Sequence, residues 1–230
     1  MISQKHKTIF VHIPKAGGQS IETMFLDNEG LKWDDRSELL LREKTANEKG
    51  PERLAHLKAS EYVDYNYLSK SDFNEFYKFS FVRNPYKRVF SFYQFLGYSK
   101  IMSLKTFIEN VLPLKVRDSH FFFISQYEYL YDENENLLVD FVGKLETIKE
   151  DIKKVINHSG IENAFLPHVN KSKGEWSRVA SLLVKNPKYL GSLAILKQFD
   201  NTFEKQFTNI LKEQVYELYQ KDFQYFNYKK

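Results

Sequence analysis

Cysteine is absent from all 230 residues. That excludes disulfides, thiolate metal sites and cysteine nucleophiles, and it fits a reducing compartment. Long apolar runs are absent as well, since none approaches the ~20 residues needed to cross a bilayer. Met1 to Lys7 is polar and runs straight into an apolar segment, so no signal peptide is expected and the cytoplasm is the default location. No internal repeat, low-complexity tract or linker interrupts the chain, and a single domain over residues 1–230 is the economical expectation. Charge of one sign is scarce too: 34 basic against 30 acidic residues leave a net +4. There is no clustered basic stripe of the kind a nucleic-acid binder carries, so no nucleic-acid partner is expected. A weak positive balance does suit an anionic small ligand or polymer. Nothing in the sequence specifies an oligomeric state.

What the chain has in surplus is aromatic residues, with 20 Phe and 15 Tyr. They either fill cores or stack on the flat faces of a purine or a sugar. Thr8 to Ile13 is a β-branched and aromatic run that reads as a buried strand. Pro14 to Gly18 breaks it, and Gln19 to Leu26 reads as a helix with Ile21, Phe25 and Leu26 on its apolar side. Residues 27–52 are polar and punctuated by glycine, with a helix expected between flexible ends. Phe76 to Val82 is a second continuously apolar strand, ended by Arg83-Asn84-Pro85. An amphipathic helix over Tyr86 to Tyr98 follows, and proline is well placed at its first turn. Ser103–Val111 and Asp118–Tyr129 are predicted helical, Leu137–Leu145 a third strand, and Thr147–His158 a helix. Residues 159–190 read as a loop, Gly191–Tyr219 as a long helix, and Phe223–Tyr228 as an aromatic tail. Repeated strand–turn–helix units predict an α/β fold.

Two segments carry chemistry. In Pro14-Lys15-Ala16-Gly17-Gly18-Gln19-Ser20, directly after the first strand, a glycine pair lets backbone N–H groups turn toward an anion. The helix that follows adds its positive dipole end. Lys15 contributes a mobile cation and Ser20 a hydroxyl donor. The segment is not G-x-x-x-x-G-K-[ST], because the lysine precedes the glycines, so no Walker-type Mg²⁺ site and no metal is implied. Alone, such a loop also arises by chance. The second segment pairs Arg83, at a strand end where open parallel sheets bind ligands, with Ser91, about two helical turns further on. Arginine as a bidentate fork and serine from the helix can meet one phosphate; the alternative is a surface ion pair and a solvated serine. Two anion sites on successive strand–turn–helix units suggest a nucleotide with phosphates at both ends of its ribose.

IFVHIPKAGGQSIETMF, residues 9–25, resembles the 5′-phosphosulfate loop of the sulfotransferase superfamily in its carbohydrate-sulfotransferase form. FSFVRNPYKRVFSFYQF, residues 79–95, resembles that family's 3′-phosphate motif. Gln126-Tyr127, VDFVGKLE (139–146), LPHVNKS (166–172) and VYELYQKDFQYFNY (215–228) fit as well. The resemblance implies a three-layer parallel sheet flanked by helices, like a P-loop nucleotide-binding protein but working without a metal. It implies 3′-phosphoadenosine 5′-phosphosulfate as donor, with adenosine 3′,5′-bisphosphate as product and a hydroxyl of a carbohydrate as acceptor. Lys15 would stabilise the departing phosphate; Ala16, Gly17, Gly18, Gln19 and Ser20 would hold the 5′-phosphosulfate. Arg83 and Ser91 would hold the 3′-phosphate, and Lys171 and Ser172 would close over the nucleotide. Ala16 departs from the threonine common in that loop, which matters little if backbone N–H groups do the binding.

Transfer also needs a proton acceptor, and histidine suits neutral pH. His56, in Arg53-Leu54-Ala55-His56-Leu57, lies between the two motifs in a context similar to that of the catalytic histidine in several carbohydrate sulfotransferases. His168 and Glu22 are the alternatives. His12, inside the first strand, reads as structural, His6 and His158 as bystanders, and His120 carries no signal. Two rival functions remain: an ATP-dependent phosphotransferase on the same scaffold, which would want an acidic Mg²⁺ ligand at a strand end, and a non-catalytic nucleotide- or carbohydrate-binding module. Without a membrane anchor, the acceptor expected is a precursor in a bacterial cytoplasm, whether polysaccharide, glycolipid or small metabolite. Trp33, Tyr62, Tyr65 and Tyr67 are candidates to line a sugar groove.

Overall fold

The computed structural model describes residues 1–162, 164–167, 175–187 and 202–230. Its contacts group the chain into two compact units. The first is Met1–Arg83 with Gln126–Val169, and the second is Asn84–Ser125 with Asn170–Lys230.

The first unit is built on four strands: β1 (Ile2–Ser3), β2 (Thr8–Val11), β3 (Tyr77–Val82) and β4 (Phe141–Lys144). They lie in the order β1-β2-β3-β4. β1 is antiparallel to β2, whereas β2 with β3 and β3 with β4 are parallel. Thr8 faces Tyr77 in the register, and Phe79 faces Phe141. Every residue of β2 is buried, as a continuously apolar strand of a parallel sheet requires. Phe10 stacks on Phe79 at 4.9 Å between ring centres. These rings, with Phe81, share one core with Ile21, Met24 and Phe25 of the Gly18–Glu29 helix and Ile152 and Val155 of the Ile148–Ser159 helix. The expected mixed α/β architecture, a mostly parallel sheet with helices against it, is what forms.

The second unit is helical. Pro85–Phe95, Leu104–Asn110, Leu112–Arg117, Glu175–Lys185, Asn209–Leu218 and Gln220–Tyr225 are its longer described helices. Asn84 caps the first of these through its side chain, which accepts from Lys87 N–H. The core is aromatic, with Phe92, Tyr93, Phe107, Phe123 and Tyr219 almost wholly enclosed. Arg88 is enclosed with them, donating to the Ile124 carbonyl at 2.9 Å and facing Asp222 at 4.0 Å.

Several expectations are corrected. β1 lies in the Met1–Lys7 segment, which reads as polar with no strand, because two residues suffice to pair Ile2 with Ile9 and Ser3 with Thr8. Asp118–Tyr129 is not a helix: Asp118 ends the preceding one, Ser119 adopts φ 49°, and only Tyr127–Leu130 is helical. Residues 159–190 are not all loop, since Glu175–Lys185 is an amphipathic helix. Within the described part of the expected long helix, the chain breaks at Phe207–Thr208, and Thr208 restarts it by accepting from Leu211 N–H. In the 27–52 stretch the helical element is a 3₁₀ turn, Trp33–Leu39.

Candidate active site

In the first unit β2, β3 and β4 run parallel, so their C-terminal ends share one edge of the sheet, the edge where open α/β sheets take ligands. The Pro14–Ser20 loop leaves β2 there, Arg83 follows β3, and Leu145 follows β4. Lys15 takes φ 67° and Gly17 φ 89°, with Ala16 between them at negative φ. A left-handed conformation is uncommon at a lysine, and alternating hand along a loop gathers its N–H groups into one concavity. Ala16 N–H is engaged in the turn itself, donating to the Ile13 carbonyl at 3.3 Å. The Gly18–Glu29 helix starts from Gly17, with no side-chain cap and no acidic residue in its first turn. That end of the helix carries its leading N–H groups and the positive end of its dipole. Gly18 has a second role. A Cβ there would stand 2.1 Å from His12 Nε2, so the loop closes onto the histidine ring and only glycine fits.

His12 is buried, and its Nδ1 donates to Glu22 Oε1 at 2.5 Å. His56 sits on the Leu54–His56 turn, and its Nδ1 lies 3.0 Å from the His12 carbonyl oxygen. The two rings approach to 4.5 Å at 65°. A carbonyl oxygen only accepts, so His56 Nδ1 carries the hydrogen, and in the neutral ring Nε2 holds the lone pair. Although His56 keeps some solvent contact, the packing around it pushes its pKa well below 6.5, with neighbouring His12 adding to the effect. The charged form is thus disfavoured, and the ring is neutral at neutral pH.

Arg83 is half-buried, and its guanidinium donates to the Lys15 carbonyl at 3.3 Å, linking the two motifs at one sheet edge. Its backbone N–H donates to Gln126 Oε1 and its carbonyl accepts from Gln126 Nε2, both at 2.8 Å. In the sequence Gln126 stands out only within the Gln126-Tyr127 fit to the sulfotransferase resemblance, with no role attached, because a glutamine this far along the chain does not by itself indicate its partner. In the second unit, Ser91 lies half-buried on the Pro85–Phe95 helix. Of the alternative bases, Glu22 is committed to His12, while His168 lies outside the described residues, as do Lys171 and Ser172. Tyr62 is no groove residue: it is fully buried and donates to the Phe10 carbonyl at 3.1 Å. Tyr65 and Tyr67 instead line an open polar cleft of ≈ 380 Å³ with Asn47, Glu48, Lys49, Asp64 and Asn66. Among the described residues, no helix is long and apolar enough to cross a membrane.

A mostly parallel sheet whose ligand edge carries a glycine loop, a lysine and an arginine defines an α/β protein with cationic groups at that edge. The model of the sulfotransferase family matches residues 1–229, and the chain belongs to that family, a transferase family with a P-loop-like fold. No curated protein matches the chain significantly.

Proposed function

We propose that the protein transfers a sulfuryl group from 3′-phosphoadenosine 5′-phosphosulfate to a carbohydrate hydroxyl, within the cytoplasm. Family membership supports sulfuryl transfer in general. The observation that carries the donor assignment is the meeting of the two motifs at one sheet edge, where Arg83 reaches the Lys15 carbonyl. The fit of an anionic donor rests on the uncapped helix start and the alternating backbone at Lys15 and Gly17, which present N–H groups and a positive dipole end. When bound, the donor supplies an activated sulfate whose S–O bond to phosphate is the one that breaks.

Gly17, Gly18, Gln19 and Ser20 hold the 5′ end through backbone N–H groups and the Ser20 hydroxyl. Arg83 and Ser91, with Lys171 and Ser172 in support, are assigned to the rest of the nucleotide by the family resemblance. Lys15 places its ammonium where negative charge grows on the leaving phosphate, an interaction that strengthens in the transition state. His56 accepts the acceptor's hydroxyl proton at Nε2, its tautomer fixed by the His12 carbonyl. The polar cleft with Tyr65 and Tyr67 offers sugar-like ligands rings to stack on and side chains to bond.

The test is transfer of ³⁵S from labelled donor to a panel of polysaccharides and oligosaccharides. Label in the carbohydrate is expected, with its rate reduced about a hundredfold or more by Lys15→Ala and by His56→Ala. Wild-type rates for His56→Ala would remove it as the base, and no transfer to any carbohydrate would overturn the acceptor class.

A further inference from the structure

Arg83 is where the chain leaves the first unit, and Gln126 is where it returns. These two crossing points are bonded to each other. The Gln126 amide accepts from Arg83 N–H and donates to the Arg83 carbonyl, each at 2.8 Å, and Gln126 has no exposed surface. A primary amide presents its acceptor oxygen and one of its two N–H donors side by side in a plane, so it pairs with the N–H and C=O of a single backbone residue much as a neighbouring strand would. The β3–β4 ladder ends at Val82 and Lys144. Arg83 is the next residue, and the glutamine amide satisfies its backbone in place of a further ladder partner. Its Cα is therefore fixed at the sheet edge, and its guanidinium starts from a defined position, reaching the Lys15 carbonyl at 3.3 Å.

We infer that Gln126 is a positioning residue for the 3′-phosphate: by clamping the Arg83 backbone it preorganises the guanidinium that meets that group. The inference rests on the sulfotransferase reading, in which Arg83 takes the 3′-phosphate. Arginine loses rotamer freedom whenever it binds, and a fixed backbone leaves less to lose. Without the clamp, the Arg83 N–H and carbonyl need new partners, and the backbone must shift to find them.

The experiment compares adenosine 3′,5′-bisphosphate with AMP, which differs only by the 3′-phosphate, in calorimetric titrations of the full chain. The ratio of their dissociation constants is the contribution of that phosphate. Gln126→Ala is expected to shrink the ratio about tenfold or more while leaving AMP affinity in place. In an Arg83→Ala background, adding Gln126→Ala is expected to change the ratio no further, because both act through one contact. Should Gln126→Ala melt below the assay temperature, Gln126→Asn keeps the amide but withdraws it by one methylene, and the same reduced ratio is expected. An undiminished ratio in a folded variant overturns the inference, as does an equal loss for AMP, which marks a merely structural role. A wild type that binds both nucleotides equally overturns the donor reading and this assignment with it.

Discussion

Three side chains set the acid–base character of the sheet edge. Glu22 holds His12 through Nδ1, and the His12 carbonyl holds His56 through its own Nδ1. The second contact puts the lone pair of neutral His56 on Nε2, and the surrounding packing holds its pKa well below 6.5. A group whose charged form is disfavoured in the fold draws fewer protons there than when unfolded. Stability from this source is therefore intact above pH 6.5 and declines as the pH falls below that value toward the lowered folded pKa, by up to about 1.4 kcal/mol per pH unit. Urea unfolding at pH 7.5 and pH 5.5 checks this. The wild type is expected to lose more stability on acidification than His56→Gln, and equal losses would show that His56 charges freely in the fold. Neither histidine contact was legible in the sequence, where His12 and Glu22 lie ten residues apart across a turn and His56 sits in a separate segment. Only the structural role expected of His12 was readable, from its place in an apolar strand.

The Pro14–Ser20 loop is shaped by what lies beneath it. A Cβ at Gly18 would meet the His12 ring, which Glu22 holds in place, so neither side yields easily. Gly18→Ala is expected to cost about 1–3 kcal/mol of stability through overpacking and to weaken adenosine 3′,5′-bisphosphate binding. Gly30 ends the same helix at φ 75° with nothing within 4 Å of its would-be Cβ. Gly30→Ala therefore pays only for backbone strain, about 1 kcal/mol, and leaves nucleotide affinity unchanged. Thermal melts and titrations of the two variants separate these effects, and similar nucleotide affinities in both would contradict the role given to Gly18. The loop, β2, β3 and the helices after Gly17 and Asn84 were all readable in advance, because continuous apolar runs and Pro/Gly punctuation are local signals. β1 and the Glu175–Lys185 helix were not: the first is two residues long, and the second follows a stretch whose glycine and proline read as loop.

Among the described residues, much of the aromatic surplus fills the two cores. The first unit stacks Phe10, Phe25 and Phe79, and the second encloses Phe92, Phe107, Phe123 and Tyr219. Composition signalled the surplus but not its use, since a buried ring and a stacking ring have the same residue type. The division of residues 84–125 from their flanking segments was equally hidden, because no change in composition marks Arg83 or Gln126. Calorimetric titration of the wild type with adenosine 3′,5′-bisphosphate, with ADP, and with ATP plus Mg²⁺ is the direct test of the proposed donor site. Metal-independent binding that requires the 3′-phosphate, with a dissociation constant in the range of about 1–100 μM, is the predicted result. Preference for ATP with Mg²⁺, or no binding to any of the three, would contradict it.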